Sequence, residues 1–347
     1  MTVSGELANS VQRSLVRLSL VIPAFNEGER LHDGVARLRK AIDSGNIDPK
    51  TTEFVVVDDG STDDTVPRAA SLFGDFPHLQ IVRLPDNRGK GAAVRAGVAA
   101  AAAPMIAFAD ADMSIDPTQT SEFVRALNTF DVAIGSRAAE GASVDRPSIR
   151  RSVMNRAFNM LVNALTRVSL NDTQCGFKAF RAPIAKLLFH CSVTERFAFD
   201  VEILSLARRL NLSIEQVPVH WDRITGSRVR PWLDPGSMAR DVFRASRRSA
   251  SAPSVPALIL DPRGIGSTGP DPVVVLKALQ QELSPVLPYC NQGDGRVLVL
   301  CPLMSEEQIV ATSESMSLHV PDGGLERSTL SVAQLVAMAP FSLEWDA

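Results

Sequence analysis

The stretch Met105-Ile106-Ala107-Phe108-Ala109-Asp110-Ala111-Asp112 passes from an apolar run directly into two carboxylates. A short apolar run of this kind, closed by polar residues, reads as a buried strand. Carboxylates at the end of such a strand lie where open parallel sheets bind their ligands. Asp110 and Asp112, in D-x-D spacing on one turn, can grip one divalent cation from the same side. Hard oxygen donors of this type hold Mg²⁺ or Mn²⁺ by one or two carboxylates plus substrate phosphates. The motif therefore points to a metal-assisted reaction on a diphosphate-bearing substrate. Taken alone, D-x-D reads equally as a solvated turn, and its weight comes from what precedes it.

Upstream, Leu18 to Pro23 reads as a first buried strand, with Ala24-Phe25-Asn26-Glu27 as its loop. Leu31, Val35, Leu38 and Ile42 then recur with helical spacing over Glu29 to Asp43. Phe54 to Val57 is a second apolar strand, ending in Asp58-Asp59-Gly60-Ser61-Thr62-Asp63. Gly60 permits a tight turn, and Ser61, Thr62 or Asp63 can cap the following helix. A third strand, Gln80 to Leu84, leads into Asn87-Arg88-Gly89-Lys90-Gly91, which opens an Ala-rich helix through Ala103. Gly-Lys-Gly at a helix start offers backbone amides, the positive end of the helix dipole and a cation. The pattern G-x-x-x-x-G-K-[ST] is absent, so this is no Walker A loop. Three strand–helix repeats followed by a metal site indicate a doubly wound α/β nucleotide-binding half.

The segments LSLVIPAFNE, VVVDDGSTD, NRGKG, DADMS, GSR (Gly135 to Arg137) and DTQCGFKAF (Asp172 to Phe180) occur in this order. In that succession the chain resembles family 2 glycosyltransferases of the GT-A fold over residues 16–245. Within them it is most similar to the dolichyl- or polyprenyl-phosphate hexosyltransferases of the glucosyl and mannosyl branch. The Asp172–Lys178 and Phe197–Glu202 segments look more like the glucosyl side. The resemblance implies an α/β GT-A domain with a mostly parallel sheet flanked by helices. It also implies a nucleotide-sugar donor, UDP-glucose ahead of GDP-mannose, and a lipid phosphate acceptor. Asp58 and Asp59 resemble the carboxylates that hold uracil and ribose, and the loop Pro23, Ala24, Asn26 and Glu27 would close the same pocket. Lys90, Asp110 and Ala111 complete the implied donor site. Asp200 and Glu202 are implied to start a helix near the sugar.

Composition fits an ordinary globular chain. The 347 residues suffice for one large domain or two, and 45% hydrophobic with 22% charged residues is ordinary for a folded chain. Cys175, Cys191, Cys290 and Cys301 form no C-x-x-C pair, so a zinc site or disulfide framework is not expected. The first 17 residues lack an apolar core, and no signal peptide is expected. No uninterrupted run of about 18 apolar residues occurs, because Pro104 divides the Ala99–Ala109 stretch; no transmembrane helix is expected.

Charge is uneven along the chain. Residues 1–249 carry a net +4 and residues 250–347 a net −7. One arginine cluster comprises Arg146, Arg150, Arg151 and Arg156; another runs from Arg223 through Arg228 and Arg230 to Arg248. Between them Val153, Met154, Ala157, Phe158, Leu161, Ala164 and Leu165 follow helical spacing. A basic amphipathic helix can lie on an anionic membrane surface, here the inner, cytoplasmic face; a core-packing helix is the plain alternative. Nucleic acid is disfavoured, with aromatic residues at only 5% and no recognition motif beside the arginines. The Ser/Ala/Pro segment 249–256 reads as a linker between a catalytic domain, 1–248, and a small acidic α/β module, 257–347, with strands at Ala257–Leu260 and Arg296–Leu300. Helices are expected there at Pro272–Leu283, Glu306–Met316 and Leu330–Met338.

The acceptor decides what chemistry is needed. A hydroxyl must lose its proton during attack and requires a positioned carboxylate. Asp172 is the first candidate for that base or for a sugar-hydroxyl ligand, with a turn carboxylate as the alternative. A lipid monophosphate is already ionised near neutral pH and needs cations instead. Arg137, Arg150, Arg151 and Arg228 could supply them through charge-assisted, bidentate hydrogen bonds. The arginine richness favours the phosphate acceptor. The expected catalytic set is Asp112, Asp172 and Arg137; His220 and Trp221 could line the acceptor mouth, with plain core packing as the alternative for the tryptophan. The competing readings are a soluble or polysaccharide hydroxyl acceptor on the same fold, and a non-catalytic sugar-nucleotide-binding scaffold.

Overall fold

In the computed structural model, alternating residues of the first strand divide between two cores. Along β1 (Leu18–Ala24), Leu20 and Ile22 pack on one face and Val21 on the other. The same split recurs in β2 (Thr52–Asp58), with Phe54 and Val56 opposed to Val55 and Val57. Period-two alternation with apolar residues on both faces requires cover on both sides. That cover is α1 (Gly28–Asp43), α2 (Thr65–Phe73) and α4 (Thr120–Ala126) on the first face. On the second lie α3 (Lys90–Ala100), α5 (Ala182–Cys191) and α6 (Phe199–Arg209). The structure describes residues 16–145, 156, 159, 160, 162–164, 168–222, 254–260, 289–291, 297–302, 304, 307–310, 313, 325–331 and 334.

The remaining strands are β3 (Leu79–Arg83), β4 (Met105–Phe108), β5 (Val132–Ser136), β6 (Ser143–Val144), β7 (Lys178–Arg181), β8 (Ile214–Pro218) and β9 (His220–Trp221). The central sheet has the order β3-β2-β1-β4-β7-β5-β8. All its neighbours are parallel except β7, which runs antiparallel to β4 and β5. The expected doubly wound, mostly parallel sheet is what forms. Register aligns Ala24 with Asp58 and Asp58 with Arg83, so the loops after β1, β2 and β3 open on one edge. Because β7 is reversed, Lys178 pairs with Phe108 and brings the Asp172–Phe177 loop to that same edge. Asp200 and Glu202 lie in the first turn of α6, the helix start that the resemblance implies.

Lys186 of α5 is buried, and its Nζ donates to the carbonyls of Val98, Ala99 and Ala101 at 2.5, 2.9 and 2.9 Å. It thereby satisfies carbonyl groups left open at the C-terminal end of α3, the helix whose N-terminus carries Lys90. Four strands beyond the basic part, β10 (Val255–Leu260), β11 (Tyr289–Asn291), β12 (Val297–Leu300) and β13 (Leu325–Leu330), form an antiparallel sheet in the order β11-β12-β10-β13. β10 begins two residues before the expected strand start, inside the segment read as linker, because Val255 is buried against the main core. Ala257, Leu298, Leu300 and Leu330 join the same core as α5, so this sheet packs on the catalytic domain. Leu330 closes β13 and does not open a helix, since it pairs with Val255. The expected helix at Pro272–Leu283 lies outside the described residues.

Candidate active site

The loops after β1 and β2 are built as one unit. Asn26 takes a left-handed conformation (φ 52°), which asparagine tolerates better than most residues. Its amide donates to Ser61 Oγ at 2.9 Å, and its Oδ1 accepts from the Thr62 amide at 2.9 Å. The Glu27 amide donates to Thr65 Oγ1, also at 2.9 Å. Pro23 and Ala24 close β1 and set the start of this loop.

Asp58 and Asp59 are both buried yet differ in what they hold. Asp58 Oδ1 accepts from the Ser61 amide at 3.0 Å. Its Oδ2 is buried without a hydrogen-bond partner; Arg83 Nε lies 3.1 Å away but outside hydrogen-bonding alignment. Oδ2 is therefore ion-paired but not hydrogen-bonded, and a ligand donor at Asp58 would supply the hydrogen bond that Arg83 does not make. Asp59 has no such vacancy. Its Oδ1 accepts from the Arg88 amide at 2.9 Å, and its Oδ2 from Asn87 Nδ2 at 2.9 Å and the Gly89 amide at 2.7 Å. Asp59 therefore shapes the NRGKG loop. Gly89 is needed there: its φ is +112°, and a Cβ would stand 2.7 Å from the Glu195 carbonyl oxygen.

Each carboxylate of the D-x-D motif meets a cation of the chain. Lys90 Nζ lies 2.5 Å from Asp110 Oδ1. Burial works against the Lys90 charge, but Asp110, Asp200 and Asp112 outweigh it and hold its pKa above the ordinary lysine value. Asp112 Oδ1 accepts from the Ser114 hydroxyl at 2.6 Å and amide at 3.1 Å, and its Oδ2 accepts from Arg30 Nη2 at 2.5 Å. Arg30 Nη1 at the same time donates to both Glu27 oxygens at 2.9 Å. The motif is also wedged sterically. A Cβ on Gly34 of α1 would lie 2.0 Å from the Ala111 carbonyl oxygen, and one on Gly176 would lie 2.1 Å from Asp110 Oδ2. Ala111 turns its side chain into the core beside α1.

Among the described residues no cluster of three or more His, Cys, Asp and Glu side chains could hold a metal ion. The chemistry of Asp110 and Asp112 still fits a hard cation that takes one or two carboxylates and completes its shell with water and phosphate. Asp110 is 41% exposed, and the space beside it is kept open by the missing side chain of Gly176.

Across the site, Arg137 and Asp172 form one closed pair. Arg137 Nε and Nη2 donate to the two Asp172 oxygens at 2.7 and 2.9 Å, and the Arg137 amide adds a third bond at 3.1 Å. Burial alone would raise the Asp172 pKa; the Arg137 guanidinium outweighs it and holds the carboxyl below its ordinary value. A depressed carboxyl already committed to an arginine is a poor general base. Asp200 pairs with the fully buried Lys178 at 2.6 Å, and burial raises its pKa despite that partner. Glu202 accepts from Ser192 Oγ at 2.7 Å and from the Thr194 amide at 2.9 Å, which ties the 192–194 loop to α6. His220 bonds Ser143, and Trp221 bridges to Ile115, so both brace the far rim. Arg146, Arg150, Arg151 and the Arg223–Arg248 cluster with Arg228 lie outside the described residues, as does most of the amphipathic segment between the two clusters.

Arg30, Gly34, Gly176 and Lys178 are site-forming residues that the sequence reading did not single out. The one local signal is the three-residue spacing of Glu27 and Arg30 at a helix start.

Residues 19–189 match the family described as Glycosyl transferase family 2. The dolichyl-phosphate beta-glucosyltransferase of Drosophila melanogaster is 36% identical over 240 residues, covering 66% of this chain and 74% of the relative. The Homo sapiens dolichyl-phosphate beta-glucosyltransferase is 34% identical over 242 residues, covering 65% and 74%. Among solved structures, glucosyl-3-phosphoglycerate synthase from Mycobacterium tuberculosis with Mn²⁺, UDP and glucosyl-3-phosphoglycerate superposes with a TM-score of 0.50 at 22% identity, covering 70% of this chain and 83% of that one. That likeness shows the fold, GT-A. With the motifs in order, the sheet that carries them and relatives matched across 74% of their length, the chain belongs to glycosyl transferase family 2.

Proposed function

We propose that this protein is a metal-dependent, inverting glucosyltransferase that moves glucose from UDP-glucose onto a dolichyl or polyprenyl phosphate. The observation that carries the choice of acceptor is the Arg137–Asp172 pair. The carboxylate best placed by sequence to act as a base is buried, depressed and bound to arginine, while a phosphate acceptor needs no base. The names of the similar relatives point the same way.

In this reading Asp58 Oδ2 accepts from the nucleotide, and the Asn26–Glu27 loop closes over it. Asp59 holds the NRGKG loop so that Lys90 and the α3 N-terminus face the diphosphate. Asp110 and Asp112 would hold Mg²⁺ or Mn²⁺, which would stabilise the negative charge of the departing diphosphate. Arg137, fixed in direction by Asp172, presents its remaining guanidinium N–H groups to the acceptor phosphate, joined by Arg150, Arg151 and Arg228. A phosphate oxygen attacks C1 as the C1–O bond to UDP breaks on the opposite face; UDP leaves and no proton is transferred. No described helix is long and apolar enough to cross a membrane, and the protein reaches its lipid from the inner face as a peripheral partner.

The test is a donor and acceptor screen with purified protein, products read by mass. UDP-glucose with polyprenyl phosphate and Mg²⁺ or Mn²⁺ should yield glucosyl phospholipid, and chelator should abolish it. Transfer only to hydroxyl acceptors would overturn the proposal.

A further inference from the structure

Both carboxylates of the D-x-D motif are neutralised from within the chain. Asp110 is paired with Lys90 and Asp112 with Arg30, each at 2.5 Å. All four side chains are at least half sheltered from water, Arg30 and Asp112 to 17% and 15% exposure, where charges are weakly screened. No third carboxylate, histidine or cysteine completes a metal-holding group with them among the described residues. A divalent cation approaching this pair alone meets two positive groups, Lys90 and Arg30, set against Asp110, Asp112 and, behind Arg30, Glu27, so the negative charge left for the ion is small. A nucleoside diphosphate supplies the charge that is missing, and phosphate oxygens are the ligands such a cation takes beside one or two carboxylates.

From this geometry we infer that Arg30 is a resident counter-ion of Asp112, and that it makes the site bind its metal together with the nucleoside diphosphate and not ahead of it. The inference rests on the metal-dependent reading above and adds the order of binding and the residue that sets it. Arg30 is suited to the part by its second partner. Its Nη1 stays on Glu27, at 2.9 Å from both oxygens, so the guanidinium is not stranded when Asp112 turns toward a cation. A carboxylate oxygen has two acceptor positions, so Asp112 can also share itself between Arg30 and the metal. Arg30 therefore acts through Asp112 and is a positioning residue. Lysine has no fork to hold both carboxylates at once, but it retains the charge.

The test uses the full chain and three titrations: Mn²⁺ alone, UDP alone, and Mn²⁺ with saturating UDP, followed by calorimetry and by the electron spin resonance of free Mn²⁺. In the wild type, Mn²⁺ alone should bind weakly and UDP should tighten it strongly. In Arg30→Met, Mn²⁺ alone should bind at least about tenfold more tightly, as expected when a nearby like charge is removed. The tightening by UDP should shrink by the same factor, since coupling is reciprocal. Arg30→Lys should keep the weak Mn²⁺ binding of the wild type, which a purely structural role for the arginine would not predict. Arg39→Met, which removes an exposed arginine of the same helix paired to Asp75, should change nothing. Unaltered or weaker Mn²⁺ binding in Arg30→Met, with UDP still bound, overturns the inference while leaving the metal reading intact. If the wild type binds no Mn²⁺ even with UDP, the metal reading itself falls and takes this inference with it.

Discussion

The two halves of the site meet ligand charge in opposite ways. On the side proposed for the donor, carboxylates are joined to cations across separate loops, and one acceptor, Asp58 Oδ2, is left without a hydrogen bond. On the side proposed for the acceptor, the Asp172 carboxylate is closed off, with both oxygens on one arginine and 4% exposure. Open bonding capacity on the donor side suits a ligand that arrives with its own cation and leaves as a diphosphate. A closed pair on the acceptor side suits an arginine that must point one way while an anion comes and goes. The following experiments break or sharpen that contrast.

The largest effect should come from breaking the closed pair. Asp172→Asn leaves the Arg137 charge buried without its partner, which costs about 3–5 kcal/mol of stability. Thermal or denaturant unfolding measures it. Arg137→Gln in the same chain should recover part of the loss, as a double-mutant cycle reads directly. Acid acts on the same pair. The folded Asp172 carboxyl lies below its ordinary value, so its contribution is fully present above the unfolded carboxylate pKa, about 4. It fades as pH falls through the depressed folded value, and Asp172→Asn should flatten that part of the acid-unfolding curve. An Asp172→Asn protein of wild-type stability that nonetheless fails to transfer glucose would restore the base reading.

On the open side the effect should fall on turnover. Asp112→Asn removes a full charge from the site of the departing diphosphate and should lower kcat by about 10²–10³-fold, the range seen when one transition-state electrostatic contact is lost. Its carboxylate is sheltered but shared only with Arg30 and Ser114, and an asparagine keeps an acceptor oxygen for them, so the unfolding midpoint should move less than in Asp172→Asn. Equal activity in excess chelator for wild type and variant would contradict the role. Gly34→Ala probes the same motif from beneath. Its Cβ would stand 2.0 Å from a backbone oxygen, which must move, at a cost of about 1–3 kcal/mol for overpacking. Gly176→Ala, directed at the movable Asp110 side chain, should cost less stability and more activity.

The convergence of the motif-bearing loops was legible because they directly follow apolar strands. Leu18–Ala24, Thr52–Asp58 and Met105–Phe108 each end at a polar motif, and strand ends in a doubly wound sheet converge. The different duties of Asp58 and Asp59 were not legible. They depend on where the Asn87, Arg88 and Gly89 donors arrive from another loop. The Arg30–Asp112 pair joins residues 82 positions apart, and Gly34 looks like any helical glycine until the Ala111 carbonyl is seen above it. Reversal of β7 had no local signal, since parallel and antiparallel strands share one periodicity. In the C-terminal part, LERSTL mixes charged and apolar residues and becomes a strand only through pairing with β10.

The smallest effect expected separates two exposed phenylalanines, one on each side. Phe25, 40% exposed, sits in the loop after β1; Phe197, 46% exposed, sits at the start of α6. Beside Phe197, Ala198 and Val201 pack on Val162, and Met160 on that same helical stretch is 68% exposed. An apolar pair next to Arg156 and Arg196, both exposed, has the composition of a surface that rests on anionic lipid. Burying part of one aromatic side chain in a bilayer interface is worth about 1 kcal/mol, less than the full-burial value of about 1.5–3 kcal/mol, so Phe197→Asp should weaken binding to anionic liposomes by roughly fivefold or more. Phe25→Asp, on the side that closes over a soluble nucleotide, should leave liposome binding unchanged and alter the KM for the donor. Added salt should weaken wild-type binding, because charges at the surface are screened within about 10 Å at 0.1 M; the part of the Phe197→Asp loss due to the new charge should shrink with it, while the part due to lost apolar contact should remain. Equal loss from both substitutions would mean that the membrane meets the donor side as well, and the contrast between the halves would then stop at the ion pairs.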